Sequence, residues 1–168
     1  MLDPRTRPGA RVGVDVGNAR VGVAASDASG VLAHPVSTLS RDVEADTDVD
    51  AIVALTQDLQ AIEVVVGLPR LLSGQEGEAA RIARDYAGRL AARLGTVKVR
   101  MVDERLTTVD AHRRLRDSGV PGRGQRAVVD QAAAVLILQS ALDTEALSGR
   151  PPGETVTPGG KRKKERRR

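Results

Sequence analysis

Hydrophobic and polar positions alternate from Arg11 onward. In RVGVDV, Val12, Val14 and Val16 share one side of the chain, with Gly13 and Asp15 on the other. A period of two is the signature of a strand. Gly17-Asn18 is a turn signal, and Arg20 to Ser26 repeats the alternation through Val21, Val23 and Ala25. An antiparallel hairpin is therefore predicted. A second turn at Ala28-Ser29-Gly30 leads to Val31 to Val36, a third strand weakened where Pro35 lacks a donor.

The period then lengthens. Val49, Ile52, Val53, Thr56 and Leu59 are spaced for a helix, and Glu63 to Gly67, EVVVG, reads as a central strand. Ser73 and Glu76 match a capping box. Behind it runs a helical stripe of Ala79, Ile82, Ala83, Tyr86, Leu90 and Leu94, with Gly95 as a C-terminal cap. Val97 to Val102 is another strand. Thr107 and Asp110 open a helix to about Ser118, SGVPGRGQR (Ser118 to Arg126) is a loop, and Val129 to Leu142 forms the last helix. The order βββαβαβαα predicts an α/β domain, a mixed sheet with helices packed on it, over residues 1–147. The Pro- and Gly-rich, then charged, stretch 148–168 is expected to be disordered.

Composition narrows the chemistry. The 168 residues are 40% hydrophobic, with no Phe, no Trp and one Tyr, so the core must be built from Val, Leu, Ile and Ala. Absence of Cys excludes disulfides and thiolate metal sites, and two histidines, His34 and His112, are too few for a typical zinc cluster. A metal would be held by oxygen, which favours Mg²⁺ or Mn²⁺. No apolar run of about 18 residues marks a membrane span, and MLDPRTRPGA lacks the apolar core of a signal peptide. A cytoplasmic protein is expected. Seven of the 26 basic residues and one of the 22 acidic ones lie in the final KRKKERRR, leaving 19 against 21, a body of net charge −2. The high pI belongs largely to the tail.

Three places put an acid where the pattern does not require one. Asp15 interrupts the first strand, and Gly13 and Gly17 beside it suggest open space around the carboxylate. Asp103 and Glu104 follow directly after a strand, where open α/β sheets bind ligands; alternation does not decide which of the two points inward. Asp130 shares a helix face with Ala133, Ala134, Ile137, Leu138 and Ala141. Each alone reads equally well as a strand-end, turn or helix-start acid. Together they suggest carboxylates brought into one site, where they would repel unless a cation intervened. Two oxygen-ligated divalent ions would suit an in-line phosphoryl displacement. The loop after Gly67, LPRLLSGQEG, adds backbone N–H groups at a helix start.

GVDVGNARVGVA, VVVGLPRLLSGQEG, VDERLTTVDA and DQAAAVLIL, in this order, resemble the YqgF family, also called RuvX, across roughly Val12 to Leu142. The resemblance implies an RNase H-like fold, a five-stranded mixed sheet, its first three strands antiparallel, with helices on both faces. It implies a metal-dependent nuclease related to Holliday-junction resolvases and associated with 5′-end maturation of pre-16S ribosomal RNA. By motif match the catalytic and metal-binding acids are Asp15, Glu104 and Asp130, binding Mg²⁺ or Mn²⁺; Glu104 is thereby preferred over Asp103. Counter-charges for substrate phosphates are expected from Arg70, Arg105, Arg123 and Arg126, with the basic run Lys161 to Arg168 adding salt-dependent affinity. No role is expected for His34 or His112. The expected partner is nucleic acid, either pre-16S rRNA or a four-way DNA junction, bound by a monomer or a homodimer. Three other readings compete: a junction resolvase, an actin- or hexokinase-like ATP-binding domain, against which the length argues, and a non-enzymatic nucleic-acid-binding protein. The scarcity of aromatics argues against base stacking as the main binding mode.

Overall fold

The computed structural model describes residues 6–106 and 123–158, with backbone only at residues 106 and 123–127. The chain runs β1 (Arg11–Val16), β2 (Arg20–Ser26), β3 (Ala33–Ser40), α1 (Thr47–Asp58), β4 (Glu63–Leu68), α2 (Glu78–Leu94) and β5 (Lys98–Asp103). A 3₁₀ turn (Glu104–Leu106), α3 (Arg123–Ser148) and β6 (Glu154–Thr155) follow. The sheet order is β3-β2-β1-β4-β5-β6. β1 pairs antiparallel with β2 and parallel with β4, β4 pairs parallel with β5, and β5 pairs antiparallel with β6.

Alternation along the strands sorts the side chains into two layers. Val12, Val14, Val16, Val21, Val23, Val64, Val66, Val99 and Met101 are buried with residues of α1 and α2. Ala24, Val65 and Val102 are buried with Ala133, Ala134, Ile137, Leu138, Ala141 and Leu142 of α3. The single aromatic residue, Tyr86, lies in the first layer, and its hydroxyl donates to Asp48 Oδ2 at 3.1 Å.

The α3 side of the β1–β2 hairpin carries almost no side-chain bulk. Gly13 pairs with Ala24 and Asp15 with Gly22. A Cβ on Gly13 would lie 2.7 Å from Leu138 Cβ, and one on Gly22 would collide with the Asp130 carbonyl oxygen. The glycines therefore let α3 lie directly on the hairpin backbone. This corrects the expected open space beside Asp15: on the Gly13 side it is filled by Leu138 and the Ala134 carbonyl.

Other expectations also shift. The sheet has six strands rather than five, because Glu154–Thr155 adds an edge to β5, supported by Val156 N–H donating to Val99 O at 2.8 Å. Part of the stretch expected to be disordered is thus ordered strand. Its turn places Gly153 at φ +80°, against the Met101 carbonyl, where a side chain would collide. The third strand starts at Ala33 and runs to Ser40, with a bulge between Val23 and Ala24, where Ala24 faces Pro35. The capping box at Ser73 does not form. Ser73 Oγ instead accepts from Gln75 N–H, and α2 begins at Glu78 with Gly77 at its N-cap. Gly95 does cap α2, at φ 63°. The last helix is longer than its apolar stripe, reaching Arg123 at one end and Ser148 at the other. It therefore includes Arg123 and Arg126, expected in a loop. The helix expected from Thr107, with His112, and the basic run Lys161 to Arg168 lie outside the described residues.

Candidate active site

The parallel strands β1, β4 and β5 end on the same side of the sheet, and the acids gather there on the α3 face. Asp15 is the fifth residue of β1 and is 1% exposed. Its partner across the hairpin, Gly22, abuts the Asp130 backbone on α3. On the other side, the β1–β4 register runs to Val14↔Val66, so Gly67 is next alongside Asp15. A Cβ on Gly67 would collide with Glu104 Oε1 and would lie 2.6 Å from Ile137 Cδ1. Glycine at these two positions lets Asp130 and Glu104 close in on either flank of Asp15. Glu104 and Asp130 are 2% and 4% exposed, so three carboxylates are buried at one end of one sheet face.

Asp130 is not alone there. Its Oδ2 accepts from Arg20 Nε at 2.9 Å, the arginine being 30% exposed. Arg20 was missed in the sequence, where it reads only as the start of a strand. The signal was available, since period two puts Arg20 on the same face as Gly22, opposite Val21 and Val23.

Asp103 and Glu104 have different surroundings. Asp103 accepts from the Arg105 backbone N–H at 3.0 Å, from Arg105 Nε at 3.1 Å and from Arg105 Nη2 at 2.7 Å. Arg70 Nε stands 3.5 Å from the same carboxylate. The hydrogen bonds from Arg105 hold the Asp103 carboxyl below the usual carboxylate range, against a smaller opposing effect of burial. Two of the four expected phosphate-binding arginines, Arg70 and Arg105, therefore come together. The side chains of Arg123 and Arg126 lie outside the description.

The donor set offers only carboxylate oxygens, the ligand type of Mg²⁺ and Mn²⁺. Glycine at position 67 lets Glu104 Oε1 lie against the β4 backbone, on the strand next to the one that carries Asp15. Among the described residues, however, no three His, Cys, Asp or Glu side chains form a ready group that could hold a metal ion. The acids fit a divalent cation in kind without being closed into a cage. No helix among the described residues is long and apolar enough to cross a membrane.

A mixed sheet opening with an antiparallel meander, flanked by helices on both faces, with acids buried at its parallel strand ends, is the RNase H-like α/β class. The same fold is seen in Thermus thermophilus RuvC, solved in complex with a Holliday junction substrate. That likeness has a TM-score of 0.52 at 13% identity, covering 86% of this chain and 99% of RuvC. The family model "RuvX: Holliday junction resolvase" matches residues 9–144. The chain belongs to the RuvX family. A Nocardioides relative is 58% identical over 152 residues, covering 89% of this chain and 97% of its own length. A Frankia casuarinae relative is 58% identical over 141 residues, 84% of this chain and 70% of its own. Both carry the name "Putative pre-16S rRNA nuclease".

Proposed function

We propose that this protein is a metal-dependent nuclease that hydrolyses phosphodiester bonds during 5′-end maturation of pre-16S ribosomal RNA in the cytoplasm. Asp15, Glu104 and Asp130 are its catalytic acids. The observation that carries this reading is the burial of three carboxylates, from β1, the turn after β5 and α3, at one end of one sheet face. Carboxylates gathered at one place repel one another unless positive charge balances them, and a divalent cation would supply that charge. The names of the relatives support ribosomal RNA as the substrate.

Asp15 and Glu104, on either side of Gly67, supply the oxygens that would hold Mg²⁺ or Mn²⁺. When bound, such an ion lowers the pKa of an attacking water and stabilises the leaving oxygen, and two ions would do both at once. Asp130 completes the acidic wall, and Arg20 holds its carboxylate in one orientation. The packing of α3 on Gly13 and Gly22 keeps water away from the rear of the site. No histidine base is required.

The family description favours a second reading, resolution of four-way DNA junctions by the same acids. Such a substrate needs two symmetric cuts and hence a dimer, whereas RNA trimming can be done by a monomer. One experiment separates the readings. Purified protein with Mg²⁺ or Mn²⁺ is offered a 5′-extended 16S precursor, a four-way DNA junction and plain single strands, with Glu104→Gln as the control for contaminating nuclease. Cleavage of the precursor that Glu104→Gln lacks is expected. Preferential junction cutting would favour the second reading, and binding without cleavage by the wild type would leave a non-enzymatic binding protein.

A further inference from the structure

The Asp103 carboxylate stands at the strand ends where the nuclease reading puts a phosphodiester, a place where an acid should be unwelcome. It stands next to Glu104 at the strand ends, with both Arg70 and Arg105 against it. An additional negative charge there weakens the attraction of any polyanion. We propose that Asp103 is the fixed post of a phosphate clamp: it holds the Arg70 and Arg105 guanidinium groups side by side, so that together they take one phosphodiester of the substrate strand beside Glu104. This inference rests on the nuclease reading and deepens it.

Three features of the fold build the clamp. The register of β4 and β5 sets Leu68 opposite Asp103, and Pro69, with its fixed φ, is all that separates Leu68 from Arg70. Both arginines therefore arise from adjacent strand ends. Arg105 is held twice by Asp103, through its backbone N–H and through its guanidinium. The loop after Pro69 turns back over it, with Gly74 at φ +86° and a Cβ there only 3.1 Å from Arg105 Nη1.

Charge and exposure then point to a ligand. Both arginine side chains are about a third exposed, at 30% for Arg70 and 32% for Arg105. Arg70 Nε is buried, makes no hydrogen bond and meets Asp103 only at ion-pair distance. Its planar fork is thus oriented without being consumed, which is the arrangement that bidentate recognition of phosphate requires. Asp103 also gives Arg105 a carboxylate other than its chain neighbour Glu104, keeping the arginine off the proposed catalytic acid. Tyr86, the one aromatic residue, is buried on the opposite face of the sheet, so charge rather than stacking must lead binding.

The test compares full-length wild type with Asp103→Asn, Arg70→Lys and Glu104→Gln. Each is measured for kcat and KM on the 5′-extended precursor and for salt-dependent affinity to the same RNA without metal. Asparagine keeps an acceptor for the Arg105 backbone N–H, so the turn survives. Asp103→Asn is expected to lower kcat/KM about tenfold or more while RNA affinity stays level or rises, with a salt slope steeper by about one. Arg70→Lys, which keeps the charge and loses the fork, should raise KM several-fold. If Asp103→Asn cleaves as well as the wild type, or lowers affinity and melting temperature together, Asp103 is a solvated or a structural acid and the clamp is wrong. If wild type and Glu104→Gln are equally inert, the nuclease reading itself has failed.

Discussion

The two ends of α3 both place an acid on the same face of the sheet, and the two acids meet opposite surroundings. Asp130 and Glu145 are 15 residues apart, about 22 Å along the helix. At the end where β1 and β4 begin, Glu145 accepts from Arg11 Nη2 at 3.0 Å and from Arg7 Nε at 2.5 Å, both arginines lying across its carboxylate. Glu63, in register with Arg11, is itself held by Arg100 at 2.8 Å and by Arg7 at 3.2 Å. Here two buried acids are laced to three arginines, and Arg11 is as buried as any core residue, at 1%. At the other end lie three buried acids, Asp15, Glu104 and Asp130, with Arg20 paired to Asp130. Where arginines outnumber the buried acids, the ion pairs close a structure. An end weighted toward acids reads as a place for an incoming cation and phosphate.

The comparison predicts that one kind of substitution has two outcomes. Glu104→Gln or Asp15→Asn should abolish cleavage, a loss on the order of a thousandfold or more, without lowering the melting temperature, since each relieves repulsion among buried carboxylates. A fall in melting temperature with cleavage retained would turn this end into a second structural cluster. Glu145→Gln should do the reverse. Removing one partner from a buried network strands Arg11 and costs about 3–5 kcal/mol of stability, read as a lower urea midpoint, while kcat per folded molecule persists. Gly22→Ala should fall between them. Its Cβ would collide with the Asp130 carbonyl and lift α3 from the hairpin, costing about 1–3 kcal/mol and weakening cleavage as well, because Asp130 moves.

The smallest effect is one of pH. Burial pushes the Glu145 carboxyl up, but hydrogen bonds and charges from Arg7 and Arg11 outweigh it and hold the group below its ordinary 4.5. A depressed carboxyl stabilises the fold fully above that unfolded value, and the contribution is lost as pH falls through the lower folded one. Stability should therefore drop below about pH 4.5 in wild type, and Glu145→Gln should show a shallower acid limb in urea melts taken across pH 3 to 6.

Much of this architecture is legible in the chain because its signals are local. Alternating valines give the hairpin, EVVVG a central strand, and the face shared by Asp130, Ala134 and Leu138 the way α3 must pack. Asp103 and Glu104 show where local reading stops. They are adjacent, equally acidic and both just past a strand, yet one is 2% exposed beside Gly67 and the other is wrapped by Arg105. The edge strand β6 was hidden for a related reason. Two residues in a Pro- and Gly-rich stretch carry no periodicity, and only the unpaired edge of β5 gives them a place.

By itself the sequence determined most of the strands and helices, which faces are apolar, and that Asp15 and Asp130 lie on faces meant for burial, since each depends on neighbours a few residues away. Only the tertiary structure decided which charges meet. Arg20 reaches Asp130 across 110 residues, and Arg7 reaches Glu145 across 138. It also decided that the space beside Gly13 belongs to α3 rather than to a ligand. The physical reason is that a charge takes whatever opposite charge packing brings within about 4 Å, and packing is set by the whole sheet and the helices laid on it.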